Sequence, residues 1–114
     1  MESANVIRAL GALAQDHRLA VFRLLVRAGP DGMPAGALAD AIGVPPSSMS
    51  FHLTQLSHAG LITQRRESRS IIYSADYAAM NLLLAFLTEN CCAGDTCTPD
   101  SACSPELQPE RITS

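Results

Sequence analysis

Five stretches of apolar residues at helical spacing, two short Ile-rich strands between the fourth and fifth, and a glycine turn between the third and fourth predict a winged helix-turn-helix. The predicted fold class is mainly α (α+β), with about five helices and a two-stranded β-hairpin wing. The chain has 114 residues, the length of one domain. Nearly half are apolar, enough for a modest core and too many for a wholly disordered chain.

Val6, Ile7, Leu10, Leu13 and Ala14 mark the first helix, over residues 3–14. Asp16 suits the N-cap of a second, from about His17 to Ala28. Leu19, Phe22, Leu25 and Val26 form its expected core stripe, and Gly29 ends it. The run GPDGMP at 29–34 reads as a turn-rich linker. A short third helix is expected over Ala35–Ile42, with Leu38, Ala41 and Ile42 inward and Gly43 making a tight turn. Pro46 suits the first turn of a fourth helix, Pro46–Ala59, whose Met49, Leu53 and Leu56 share one face. Gly60 closes it. Leu61–Arg66 and Ser70–Ser74 then read as strands joined by Glu67, Ser68 and Arg69.

The fifth helix is expected from Ala75 or Asp76 to Asn90. Its Leu82, Leu83, Leu84, Phe86 and Leu87 make an apolar band too wide for one subunit to cover, so a homodimer is expected, with the first helix as a plausible partner. Residues 1–92 are thus expected to form the winged helix-turn-helix and dimerisation domain, the part of the chain that such a motif would use to bind DNA. Residues 93–114, rich in Thr, Ser, Pro and acids, lack periodicity and are expected to be a flexible tail carrying Cys97 and Cys103.

A net charge of −3 looks wrong for a nucleic-acid partner, but it is unevenly divided. Residues 1–75 carry seven Arg against five acids, whereas residues 76–114 carry one Arg against six. The basic half can face phosphate while the acidic half stays in solvent. No apolar run approaches the roughly 20 residues that span a bilayer, and the start of the chain does not read as a signal peptide. A cytoplasmic location is therefore expected, where clustered cysteines indicate metal ligation or redox chemistry more than structural disulfides.

The outward face of the fourth helix is expected to present Ser47, Ser48, Ser50, Phe51, Thr54 and Gln55, with His52 at its edge. Small hydroxyls allow close approach to a major groove, and Gln can pair with adenine. Arg65, Arg66 and Arg69 gather on the hairpin, where they suit phosphate or a minor groove. All ten residues are candidate contacts to double-stranded operator DNA. His17, His52 and His58 are dispersed, which fits DNA contact, capping or a solvated surface better than ligation. With no CxxC, phosphate loop, HExxH or nucleophile elbow, no enzyme is expected.

The stretches ALAQDHRLAVFRLLV (12–26), LADAIGVPPSSMSFHLTQLSHAGLI (38–62) and RRESRSIIYSA (65–75) resemble the ArsR/SmtB family of metal-responsive repressors. The resemblance spans about residues 5–92. It implies a winged-helix homodimer paired through its first and last helices, repressing a resistance or homeostasis operon until an inducer binds.

Cys91 and Cys92 stand together at the expected end of the fifth helix, with Cys97 and Cys103 beyond. Adjacent cysteines rarely bridge each other, but two thiolates side by side can hold one soft ion while a short loop folds a third onto it. Three sulfurs and no His point to a three-coordinate thiophile, As(III) or Sb(III), as inducer, on Cys91, Cys92 and Cys97, with Cys103 as a possible substitute. No organic cofactor is expected. Four cysteines leave open a tetrahedral Zn or Cd site. A sensor of another thiophile (Cd, Bi, Hg, Zn), a redox-responsive thiol switch and ligand-free cysteines also stay open. The family's Cys-x-Cys site before the recognition helix is absent here, where the chain reads GMPAGALADAIG (32–43), and so are the His ligands of its zinc sensors along the last helix. The run LLAFLTENCCAGDTC resembles an arsenic-responsive subset with a vicinal Cys pair ending the last helix.

Overall fold

A computed structural model describes residues 2–89, as five helices and a three-stranded sheet. The order is α1 (Ser3–Leu13), α2 (Asp16–Ala28), β1 (Met33–Pro34), α3 (Ala35–Ile42), α4 (Pro46–His58), β2 (Ile62–Glu67), β3 (Ser70–Ala75) and α5 (Tyr77–Leu87). This is the winged helix-turn-helix expected from sequence, with one strand more. No described helix is long and apolar enough to cross a membrane.

Short-range chemistry accounts for most boundaries. Gln15, not Asp16, caps α2: its side chain accepts from Arg18 N–H at 3.0 Å. Asp16 is the first helical residue, where its charge favours the positive end of the helix. Gly43 ends α3 in the left-handed conformation, its N–H donating to Ala39 O at 2.8 Å. Asp76 caps α5 by accepting from Ala79 N–H at 3.0 Å. α5 stops at Leu87 rather than Asn90, and the Thr88 hydroxyl donates to Leu84 O at 2.8 Å. The same carbonyl also accepts from Thr88 N–H at 3.0 Å, so backbone and side chain of Thr88 converge on the last turn of the helix.

The sheet order is β1-β3-β2, both pairs antiparallel. β2 and β3 meet across a two-residue turn, Ser68-Arg69, with Ser68 at φ 56°. A positive φ at the first central residue is the sign pattern of a II′ hairpin turn. β1 was not expected. It lies in the linker and pairs Met33 with Tyr73 and Pro34 with Ile72. An edge position suits Pro34, which has no N–H to give the ladder.

The core is gathered from α2, α3, α4 and the entry to β2: Val21, Leu25, Leu38, Met49, Leu53, Leu56 and Leu61 are fully buried. Leu19 and Ala41, expected inside, are exposed, and Val21 and Ala39 take their places. On α1, Val6 and Ala9 face the core while Ile7 and Leu10 face out. On α5, Leu83 alone is buried, and Leu82, Leu84 and Leu87 are each about half exposed. Tyr77 ties α5 to the rest, its hydroxyl donating toward Val26 O at 3.1 Å.

Candidate nucleic-acid interface

α3 packs against α4 and presents α4 to the surface beside the wing. Ser47, Ser50, Phe51 and Thr54 are exposed on α4, with Ser48 and Gln55 half-buried at the margin. The Thr54 hydroxyl donates to Ser50 O at 2.9 Å, leaving its oxygen to accept from a partner. Phe51 is 55% exposed among these hydroxyls. An aromatic edge there suits the thymine methyl, the one apolar group on the major-groove floor.

Strand alternation divides the wing into two faces. Gln64 pairs with Tyr73 and Arg66 with Ile71 on one face; Arg65 pairs with Ile72 on the other. The first face turns toward α4, and between them lies a cavity of about 220 Å³ lined by Leu53, Thr54, Ser57, His58, Gln64 and Tyr73. Gln64, Ser57 and Tyr73 were not among the sequence candidates. The period-two pattern would have placed Gln64 beside Arg66.

The three wing arginines are not equivalent. Arg66 and Arg69 are exposed and have no side-chain partner among the described residues. Arg65, expected with them to suit phosphate or a minor groove, makes its hydrogen bonds within the protein. Its Nε donates to Glu67 at 2.8 Å, and its terminal nitrogens donate to Asp31 O at 2.9 Å, Pro30 O at 3.2 Å and Ser74 Oγ at 3.3 Å. The linker turn exposes carbonyls that no regular element satisfies, and a guanidinium fork supplies the donors. Arg65 clasps linker to wing.

His52 also differs from expectation. It does not edge the outward face but is 8% exposed, turned in against α2. The Arg18 guanidinium, whose Nε donates to Ala12 O at 2.8 Å, lies 3.5 Å from His52 Nδ1, and the His17 ring is 5.4 Å away. Arginine only donates, so Nδ1 must carry a lone pair and the contact requires neutral imidazole. Burial first, then the Arg18 and His17 charges, hold the His52 pKa below its ordinary 6.5. A group depressed in the folded state adds stability that is complete above the unfolded value and lost as pH falls through the folded one. Stability should therefore decline below pH 6.5. Thermal melts across that range should show a flatter decline in His52→Gln; an unchanged decline would assign the acid sensitivity to other groups.

Cys91, Cys92, Cys97 and Cys103 lie outside the described residues. Among the described residues α5 ends at Leu87, and the expected placement of the cysteine pair at the helix end lies outside them. Among the described residues, no three His, Cys, Asp or Glu side chains group as metal ligands.

Residues 13–65, from the end of α1 into β2, match the model of a helix-turn-helix domain family. The nodulation protein NolR of Rhizobium meliloti is 34% identical over 80 residues, 70% of this chain and 63% of NolR. The chain thus spans less than two thirds of that relative. YgaV of Escherichia coli (strain K12), an HTH-type transcriptional regulator, is 32% identical over 83 residues, 73% of this chain and 82% of YgaV. An ArsR-like transcriptional regulator from Rhodococcus sp. RHA1 superposes with a TM-score of 0.66 at 26% identity, covering 74% of this chain and 76% of that one. Mb0332 from Mycobacterium bovis superposes with a TM-score of 0.60 at 25% identity, covering 84% and 89%. Mb0332 is described as a homodimeric winged helix-turn-helix DNA-binding domain and a possible ArsR-family regulator.

Proposed function

Because this chain belongs to the ArsR/SmtB family of helix-turn-helix regulators, we propose that it is a homodimeric transcriptional repressor released from its operator by trivalent arsenic or antimony. One observation carries the DNA reading: the exposed Ser47, Ser50, Phe51 and Thr54 of α4 stand beside a wing whose Arg66 and Arg69 are uncommitted. The helix reads base edges and the wing grips phosphate.

The exposed Ile7 and Leu10 of α1 and Leu82, Leu84 and Leu87 of α5 support dimerisation, as does the homodimeric state described for Mb0332. A twofold pair sets two recognition helices about 34 Å apart, one turn of duplex. The metalloid reading rests on Cys91, Cys92 and Cys97, whose three soft thiolates meet the needs of a trigonal-pyramidal ion.

The test is a mobility shift on duplex selected from random sequence, with sedimentation to fix the size of the species. A dimer should bind and arsenite should release it. Arg66→Gln/Arg69→Gln should weaken binding to every sequence and lower the salt slope by about 0.9 per lost phosphate contact. Gln55→Ala should instead relax base preference at about 1–3 kcal/mol per lost contact. A monomer, or an unchanged salt slope in the double variant, would defeat the corresponding assignment.

A further inference from the structure

A second cavity, of about 320 Å³, opens between α2 and α5 and shares no residue with the groove beside the wing. Phe22, Val26 and Met80 wall it, and Arg23 and Arg27 flank it. The volume falls at the low end of small-molecule sites, about 300–1,000 Å³.

The two arginines are the unexplained feature. They stand four residues apart, one turn along α2, where like charges repel. Both are exposed, and neither has an ion pair or side-chain hydrogen bond among the described residues. Arg27 lies in the last turn, where the helix dipole favours a cation; Arg23 does not. Two guanidinium forks at the lip of an apolar hollow fit an anion that brings its own apolar body.

We propose that this cavity binds a small carboxylate with an aliphatic or aromatic body, its oxygens bridging Arg23 and Arg27 and its body seated on Phe22, Val26 and Met80. Charge complementarity selects the head, since a carboxylate accepts from both forks at once. The apolar walls select the tail. The site is independent of the cysteines and of the metalloid reading. It also sits on the seam that holds α5, which buries one leucine of its own and reaches α2 through the Tyr77 hydroxyl. A ligand bridging α2 and α5 therefore stiffens the helix that carries the exposed leucines.

Met80 is a built-in reporter. The full chain, labelled with ¹³C-methyl methionine and assigned by the signal lost in Met80→Leu, is titrated with decanoate and with decanol. Decanoate should shift the Met80 methyl saturably, and decanol, the same tail without charge, should bind about tenfold or more weakly. Arg23→Gln/Arg27→Gln should weaken decanoate binding to a similar degree while leaving the melting temperature unchanged. The proposal is overturned if decanoate on the order of 1 mM leaves Met80 unmoved, or if decanol matches decanoate. It is equally overturned if the Met80 signal follows protein dilution instead of decanoate, which would assign the hollow to a second copy of the chain. If the double variant does not fold, the comparison of decanoate with decanol on the unaltered protein still decides.

Discussion

Gly32→Ala is expected to remove about 3 kcal/mol, a large share of the roughly 5–15 kcal/mol that keeps a domain folded. Gly32 sits at φ 69°, where an alanine costs about 1–2 kcal/mol by itself. Its added Cβ would also press on the Tyr73 carbonyl oxygen, lie 2.6 Å from Ser74 Oγ and 2.9 Å from Ile72 Cγ2. Overpacking of this kind adds about 1–3 kcal/mol. The carbonyl is backbone and cannot turn aside without parting β1 from β3, and the Arg65 clasp on Pro30 and Asp31 would loosen with it. Gly43→Ala is the control. Gly43 is in the left-handed region at φ 84° but has nothing within 4 Å of an added Cβ, so only the conformational cost applies. Urea denaturation should rank Gly32→Ala well below Gly43→Ala. Equal midpoints would mean that the linker does not dock on β3 as described.

Loss of the arsenite response should be complete in Cys91→Ser and in Cys92→Ser, and nearly so in Cys97→Ser, with DNA affinity in the absence of arsenite unchanged. A hydroxyl at Cys91 or Cys92 removes one of three sulfurs from a soft ion, whereas Cys103 is a substitute for Cys97 and leaves that variant a residual response. Cys103, six residues further on, should be dispensable. Release requires that the ligand favour the conformation that binds DNA poorly. Ordinary coupling of about 1–3 kcal/mol corresponds to about 5- to 150-fold weaker binding, which a titrated mobility shift resolves. Full release of Cys91→Ser or Cys92→Ser by arsenite would sink the assignment, and strong release by zinc alone would favour a four-thiolate site.

Where a few consecutive residues carry the signal, sequence and structure agree. α3 has the expected bounds, and α4 differs by one residue at its end. Apolar spacing, Pro46, Gly43 and Gly60 act over one or two turns, and no distant contact is needed to read them. The Ile-rich hairpin, the exposed face of α4 and the uncovered leucines of α5 were legible on the same grounds. The cap of α2 was misplaced by one residue because glutamine and aspartate stand side by side, and backbone geometry chooses between them.

What tertiary structure alone decided involves partners far along the chain. β1 is two residues with no strand pattern of its own, and it exists because Met33 and Pro34 meet β3 about 40 residues later. Arg65 looks like its neighbour Arg66 in sequence. The period-two pleat turns it to the other face, toward the linker carbonyls, so one arginine builds the wing while the other stays exposed. His52 and Phe51 are adjacent, yet the packing of α4 on α2 buries the first beside Arg18 and leaves the second exposed. The local pattern determined where helices and hairpin form, because hydrophobic period and turn chemistry are properties of neighbours. The job of each polar side chain was decided by which distant backbone or charge the fold brought within hydrogen-bonding reach.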